Sequence, residues 1–324
     1  FKQKTAYEIG VRLVGSEMCI RDRAYNSLWQ RLVRSHAFYA WLLIAPAALF
    51  LFTIVGWPLI ETVRLSFTNA GLGGEEYIGF YNYEKLFSNR KYPGIVGRTF
   101  YWMFLSVSLK MILGTIGALL INVKLRGQAS FRVLVMPPWV VPMAIGCIGW
   151  LWVYNGHFGI LAGVLMHLGI LDGPFGFLAY KTSAFYSAVV TDVWVGTPMV
   201  TVFFLAAMQG VSQDLYEAAY VDGASRWYRF RRITIPQIMP VILSMALLSA
   251  IWTFNSFEVI WILTEGGPRG ATTTMIIDTY KMAIANYKFG YGATRALMVV
   301  IFLAVFSLLY LVLLNKVNER FKVK

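Results

Sequence analysis

The chain alternates long apolar stretches with short polar ones, and that rhythm predicts its elements. Six stretches are apolar over the roughly 20 residues that a helix needs to cross a hydrocarbon core: residues 37–62, 99–122, 132–154, 184–209, 237–263 and 292–315. Between the fourth and fifth the pattern breaks in a different way. Residues 217–236, EAAYVDGASRWYRFRRITIP, hold four arginines and two acids within twenty residues. The expected fold is all-α: a polytopic membrane protein with six transmembrane helices over 37–315 and a polar loop at 212–236.

Composition agrees. Only 14% of the 324 residues are charged and 58% are hydrophobic, against about a quarter charged in soluble domains. The net charge of +13 raises the question of nucleic acid, but the basic residues do not gather on one polar domain with interleaved aromatics. Cys19 and Cys147 cannot build a disulfide framework, and His36, His157 and His167 have no metal-ligand spacing. No metal site and no catalytic residue are expected.

The basic residues instead report topology. The connections 24–36, 123–131, 210–236 and 316–324 hold Arg31, Arg34, Lys124, Arg126, Arg226, Arg229, Arg231, Arg232, Lys316, Arg320, Lys322 and Lys324, twelve in 58 residues. The alternate connections 68–98, 155–183 and 264–291 hold Lys85, Arg90, Lys91, Arg98, Lys181, Arg269, Lys281 and Lys288, eight in 88 residues. Basic residues resist translocation, so the denser set belongs in the cytoplasm. Both termini, a segment at 24–36 and a tail at 316–324, are then cytoplasmic, as is the loop. Residues 7–23 resemble a translated sequencing-adaptor remnant, so 1–23 reads as a non-native or disordered extension outside the fold. The other reading, an ordinary basic tail, leaves the topology the same.

Within the loop, Asp214–Tyr228 has helix-compatible composition, with Ser212 placed to cap it and Asp214 and Glu217 near its positive end. Asp222-Gly223 offers a turn, and Pro236 suits the start of the fifth span. An interfacial helix would line one face with large apolar residues. This one presents alanines and charges, the profile of a knob that docks into a protein groove.

Glu217-Ala218-Ala219, Asp222-Gly223-Ala224, Phe230, Ile233 and Pro236 together resemble the EAA signature of ATP-binding-cassette (ABC) importer membrane subunits. YIGFYNYEKLF (Tyr77–Phe87), FRVLVMPPWVVP (Phe131–Pro142) and SFEVIWILTEGGP (Ser256–Pro268) narrow the resemblance to the carbohydrate-uptake group and to the first of its two permease subunits, over residues 36–320. Glu258 departs slightly, since Asp is more usual there. The resemblance implies the type I importer permease fold in a bacterial or archaeal inner membrane. It implies four kinds of neighbour: a second homologous permease, a dimer of ATPase subunits, an extracytoplasmic solute-binding protein and membrane lipid. It also makes Glu217, Ala218, Ala219, Asp222, Gly223, Ala224, Arg226, Phe230 and Pro236 the residues that couple to the ATPase. The nucleotide-binding pattern GxxxxGK[ST] is nowhere in the chain. ATP and Mg are therefore expected on the partner ATPase, with no cofactor on this subunit, which is a transport component and no enzyme itself.

Polar groups inside spans mark the candidate pathway. Ser249, Thr253 and Ser256 fall on one face of the fifth span, with Trp252 and Asn255 beside them. Asp192, Gly196 and Met199 repeat that spacing on the fourth. Such hydroxyls serve helix packing equally well. In the resembled group's disaccharide transporter the positions matching Ser249, Trp252, Thr253, Gly196 and Met199 line the sugar site. Lys110, mid-way along the second span, costs about 3 kcal/mol unpaired and should meet Asp192 or Glu258; otherwise it is a cavity cation that favours an anionic solute. Trp150, Trp152, Trp194 and Trp261 read mostly as interface-belt residues.

The expected function is ATP-driven import of a sugar or sugar-like solute. The alternatives are an ABC permease for another solute such as glycerol phosphate, and an ATP-independent secondary transporter, which would favour inverted repeats and leave the loop without a purpose. An intramembrane enzyme lacks partners at catalytic spacing.

Overall fold

The computed structural model describes residues 36–123 and 128–322. The expected extension 1–23, most of the segment 24–36 with Arg31 and Arg34, and Lys124, Arg126 and Lys324 lie outside the described residues. The chain divides after Glu61 into two compact units. The first holds α1 (His36–Leu51), a widened π turn, Phe52–Gly56, and the start of α2 (Trp57–Ser66), whose last five residues fall in the second. Pro46 lies inside α1 without ending it.

The second unit continues with α3 (Tyr81–Phe87), α4 (Tyr92–Ile121), α5 (Gln128–Val135), α6 (Pro137–Val140), α7 (Met143–Val153), α8 (Ile160–His167), α9 (Lys181–Gln209), α10 (Gln213–Val221), α11 (Arg226–Arg229), α12 (Ile235–Phe254), α13 (Glu258–Thr264), α14 (Met275–Tyr280) and α15 (Phe289–Lys322). No strand forms among the described residues; two isolated bridges, Thr68 to Tyr77 and Gly71 to Gly74, are the extended pairings. Among the described residues, five helices are long and apolar enough to cross a membrane: Tyr39–Ser66, Tyr92–Ile121, Lys181–Gln209, Arg226–Phe254 and Phe289–Lys316.

Three expectations need correction. The third span, 132–154, is three short helices, because Pro137, Pro138 and Pro142 each remove a backbone donor and Val141 is forced into an extended conformation before Pro142. The fifth span begins at Arg226, since α11, a π turn at Phe230–Thr234 and α12 form one helix. Its arginines therefore ride on a helical extension. It also ends at Phe254: residues 255–257 are a non-helical break, and residues 258–263 belong to the separate α13. The second span starts at Tyr92, which moves Arg98 from a connection into α4, where its guanidinium donates to the Thr273 carbonyl at 2.9 Å. At the other end of the chain, α15 carries helix through most of the expected tail.

Helices α4 and α9 pack along their length. A Cβ at Gly114 would fall 2.5 Å from Val200 Cγ1, so the small residue is what lets the two backbones approach. Between α13 and α15, the segment around α14 is stitched to its neighbours: Thr99 Oγ1 accepts from the Met275 amide at 2.9 Å, and Asp278 pairs with Arg295. Burial pushes the Asp278 carboxyl above its ordinary range, and the Arg295 guanidinium pulls the other way.

Candidate functional site

The nine residues singled out for the pathway, Lys110, Asp192, Gly196, Met199, Ser249, Trp252, Thr253, Ser256 and Glu258, all line one cavity of about 330 Å³. Its walls come from α4, α6, α7, α9, α12 and α13. Helical spacing explains most of the convergence: Asp192, Gly196 and Met199 share one face of α9, and Ser249 and Thr253 share one face of α12. Ser256, expected on that same face, instead lies in the break between α12 and α13 and reaches the cavity from there.

Lys110 organises the floor. Its Nζ lies 2.7 Å from Asp192 Oδ2 and donates to Thr253 Oγ1 at 2.9 Å. The Thr253 carbonyl accepts in turn from Trp102 Nε1 at 2.9 Å. Lys110 and Asp192 are 6% and 4% exposed, so each charge is stabilised by the other in place of water. Of the two acids expected to meet Lys110, Asp192 does; Glu258 is exposed at the rim and makes no ion pair among the described residues. Gly196 makes room for the arrangement, because a Cβ there would lie 2.6 Å from Lys110 Cε. Two buried polar atoms on this lining, Asp192 Oδ2 and Ser256 Oγ, have no hydrogen-bond partner. The Lys110 contact to Oδ2 is an ion pair outside hydrogen-bond geometry, so that oxygen retains acceptor capacity.

The loop is built by caps. Ser212 Oγ accepts from the Asp214 amide at 3.3 Å and starts α10. Gly223, at φ 75°, ends it in a left-handed turn. There the Ala224 amide reaches the Ala219 carbonyl at 2.9 Å and the Gly223 amide reaches that of Tyr220 at 3.0 Å, the paired bonds of a Schellman stop. Ser225 caps α11. Tyr216 Oη meets Thr234 Oγ1 at 2.8 Å, and the Arg229 guanidinium sits over the Tyr220 ring at 5.6 Å, so α10 is tied to the base of the fifth span. Glu217, Ala218, Asp222, Gly223 and Arg226 are exposed; Ala219, Ala224, Phe230 and Pro236 are half-buried. Beside them Leu215, Tyr220, Val221, Trp227 and Tyr228 are also exposed. The expectation of a surface of alanines and charges is thus incomplete, because charge-rich segments hide apolar residues from a composition count.

Residues 86–323 match the family model described as binding-protein-dependent transport system inner membrane component. The chain belongs to this family. It is therefore a multi-pass permease of the inner membrane. Among curated proteins it is 34% identical, over 88% of this chain and 97% of the other, to the trehalose/maltose transport system permease protein MalF of Thermococcus litoralis. It is 28% identical, over 88% and 89%, to the diacetylchitobiose uptake system permease protein DasB of Streptomyces coelicolor. A crystal structure of a bacterial ABC transporter involved in the import of the acidic polysaccharide alginate shares the fold, at a TM-score of 0.76 and 23% identity over 90% of this chain and 98% of that one.

The permease also lines its cavity with residues that the sequence did not single out. Trp139 and Met143 reach it because the proline break after α5 turns the third span inward; the PPW run at 137–139 was the available signal. None of Trp150, Trp152, Trp194 and Trp261 lines it. Trp152 is exposed, as a belt residue should be. Trp150 packs edge-on against Trp194 at 5.7 Å and Trp261 packs on Phe257 and Tyr280, aromatic contacts internal to the fold.

Proposed function

We propose that this permease is the first of two membrane subunits of an ATP-driven ABC importer for a sugar. The observation that carries this reading is the cavity itself. Hydroxyls of Ser249, Thr253 and Ser256 lie among the rings of Trp139 and Trp252, and that mixture suits a sugar's alternating hydroxyl edges and apolar C–H faces. Relatives named for trehalose, maltose and diacetylchitobiose support it.

In this reading the cavity opens toward a second, homologous permease, and a solute-binding protein delivers the sugar from outside. A pair of ATPases holds ATP and Mg. The loop 212–236 and both termini lie in the cytoplasm, with six crossings counted by including the broken third span. Helix α10 sits in a cleft of the ATPase. Its ties to the fifth span at Tyr216–Thr234 and Arg229–Tyr220 carry ATPase closure to α12 as a rigid displacement, rocking the cavity from one side of the membrane to the other. Glu217, Asp222 and Gly223 hold the clamp through that stroke.

The test is purification followed by reconstitution. The permease should bring an ATPase subunit with it, and vesicles holding the complete assembly should take up labelled maltose or trehalose only with ATP inside and binding protein outside. Solute uptake by the permease alone would overturn the reading.

A further inference from the structure

The proposed sugar reading leaves open whether the solute is charged, and the cavity floor bears on that. A free lysine in a low-dielectric cavity would draw carboxylates and phosphates. Lys110 is not free: Asp192 Oδ2 stands 2.7 Å from its Nζ, and Gly196 leaves the space that lets the side chain lie there. The pair contributes no net charge to the cavity. The charge left over from this chain is the Glu258 carboxylate at the rim, which is negative.

Hydrogen-bond capacity points the same way. Ser256 Oγ is buried on the lining without a hydrogen-bond partner, and Asp192 Oδ2, ion-paired to Lys110, makes no hydrogen bond. A carboxylate oxygen accepts only, and a serine hydroxyl donates or accepts. A sugar hydroxyl can donate to Asp192 while it accepts from Ser256 or Lys110. The carboxylate of a uronate and the phosphate of a sugar phosphate have acceptors alone, so such a group placed beside Asp192 would set its own negative charge against that carboxylate and offer it no donor.

We infer that the cavity selects an uncharged sugar, and that Asp192 is the residue that enforces this by withholding Lys110 from anionic solutes. This rests on the sugar reading proposed above. It separates this permease from importers of acidic sugars or sugar phosphates by chemistry inside the membrane, in addition to any choice made by the binding protein.

Equilibrium binding to the complete importer in nanodiscs, without binding protein, tests it. The probes are labelled neutral disaccharides (maltose, trehalose and cellobiose) against digalacturonate and dimannuronate. A neutral disaccharide should bind at least roughly tenfold more tightly than either diuronate, as expected where like charges meet in a desolvated site. Asp192→Asn, which releases the ammonium, should shift that ratio toward the diuronates by a further factor of about ten or more. Diuronate binding equal to neutral binding in the unaltered protein overturns the inference, as does an unmoved ratio in Asp192→Asn. Should that variant fail to assemble, the ratio in the unaltered protein decides alone. If no probe of either kind binds, the sugar reading falls and takes this inference with it; a diuronate preference removes the inference and spares the reading.

Discussion

The cavity floor and the polar loop are both made of charged and hydroxylic residues, yet they are finished in opposite ways. In the floor, side chains satisfy side chains: Lys110 reaches Asp192 and Thr253 across three helices, and each group is nearly sealed from solvent. In the loop, the backbone is satisfied by Ser212, Ser225 and the stop at Gly223, while Glu217, Tyr220, Trp227 and their neighbours stay exposed. A region closed on itself determines its own geometry. A region with a fixed backbone and idle side chains is shaped to be completed by something else. Damage to the first should appear as lost stability, and damage to the second as lost work.

The sharpest way to break this contrast is Lys110→Ala. It strands Asp192 in the interior and should cost about 3–5 kcal/mol, read as a large fall in the melting temperature of the purified permease and in its assembled yield. Combining Lys110→Met with Asp192→Leu should recover most of that loss, since an apolar pair of similar volume removes the stranded charge. A melting curve for Lys110→Ala that overlays the unaltered one would remove the floor's claim to organise the helices. Gly196→Ala is next. Its methyl would overlap Lys110 Cε, and the shift forced on a packed side chain should cost about 1–3 kcal/mol, seen as a smaller drop in the same melt. Glu217→Lys should be the mildest for stability, within about 0.5 kcal/mol as for exposed substitutions generally. Hydrolysis of ATP by the reconstituted importer should nevertheless no longer yield uptake. If Glu217→Lys transported normally, the loop would not be the clamp and the contrast would fail on that side.

The two regions also differed in what could be read from sequence. The loop's backbone was legible in detail, because caps and turns are local chemistry: Ser212, the Asp222-Gly223 turn and the alanines act within a few residues of one another. Its exposed Tyr220, Val221 and Trp227 were missed, since exposure depends on what the fold fails to cover. The floor was legible through its anomalies. A lysine in mid-span is costly enough to demand an acid, and periodicity put Asp192 on one helix face and Ser249 with Thr253 on another, though not Ser256, which lies past the end of α12. Which acid it meets required the geometry, because Glu258 begins a separate helix and stays at the rim. The broken third span escaped for a third reason: hydropathy sums over a window and does not register that Pro137, Pro138 and Pro142 each remove a donor. With the break went Trp139 and Met143, whose place on the lining depends on that bend.

The cavity has one side that this chain leaves unfinished, where Trp252, Asn255 and Glu258 face outward. Any polypeptide that closes that side becomes a co-author of what may enter. Were a second permease to be that polypeptide, a change of solute range would not need to pass through the genetic record of this chain at all: exchanging the neighbour would redraw that wall while the floor stayed as it was.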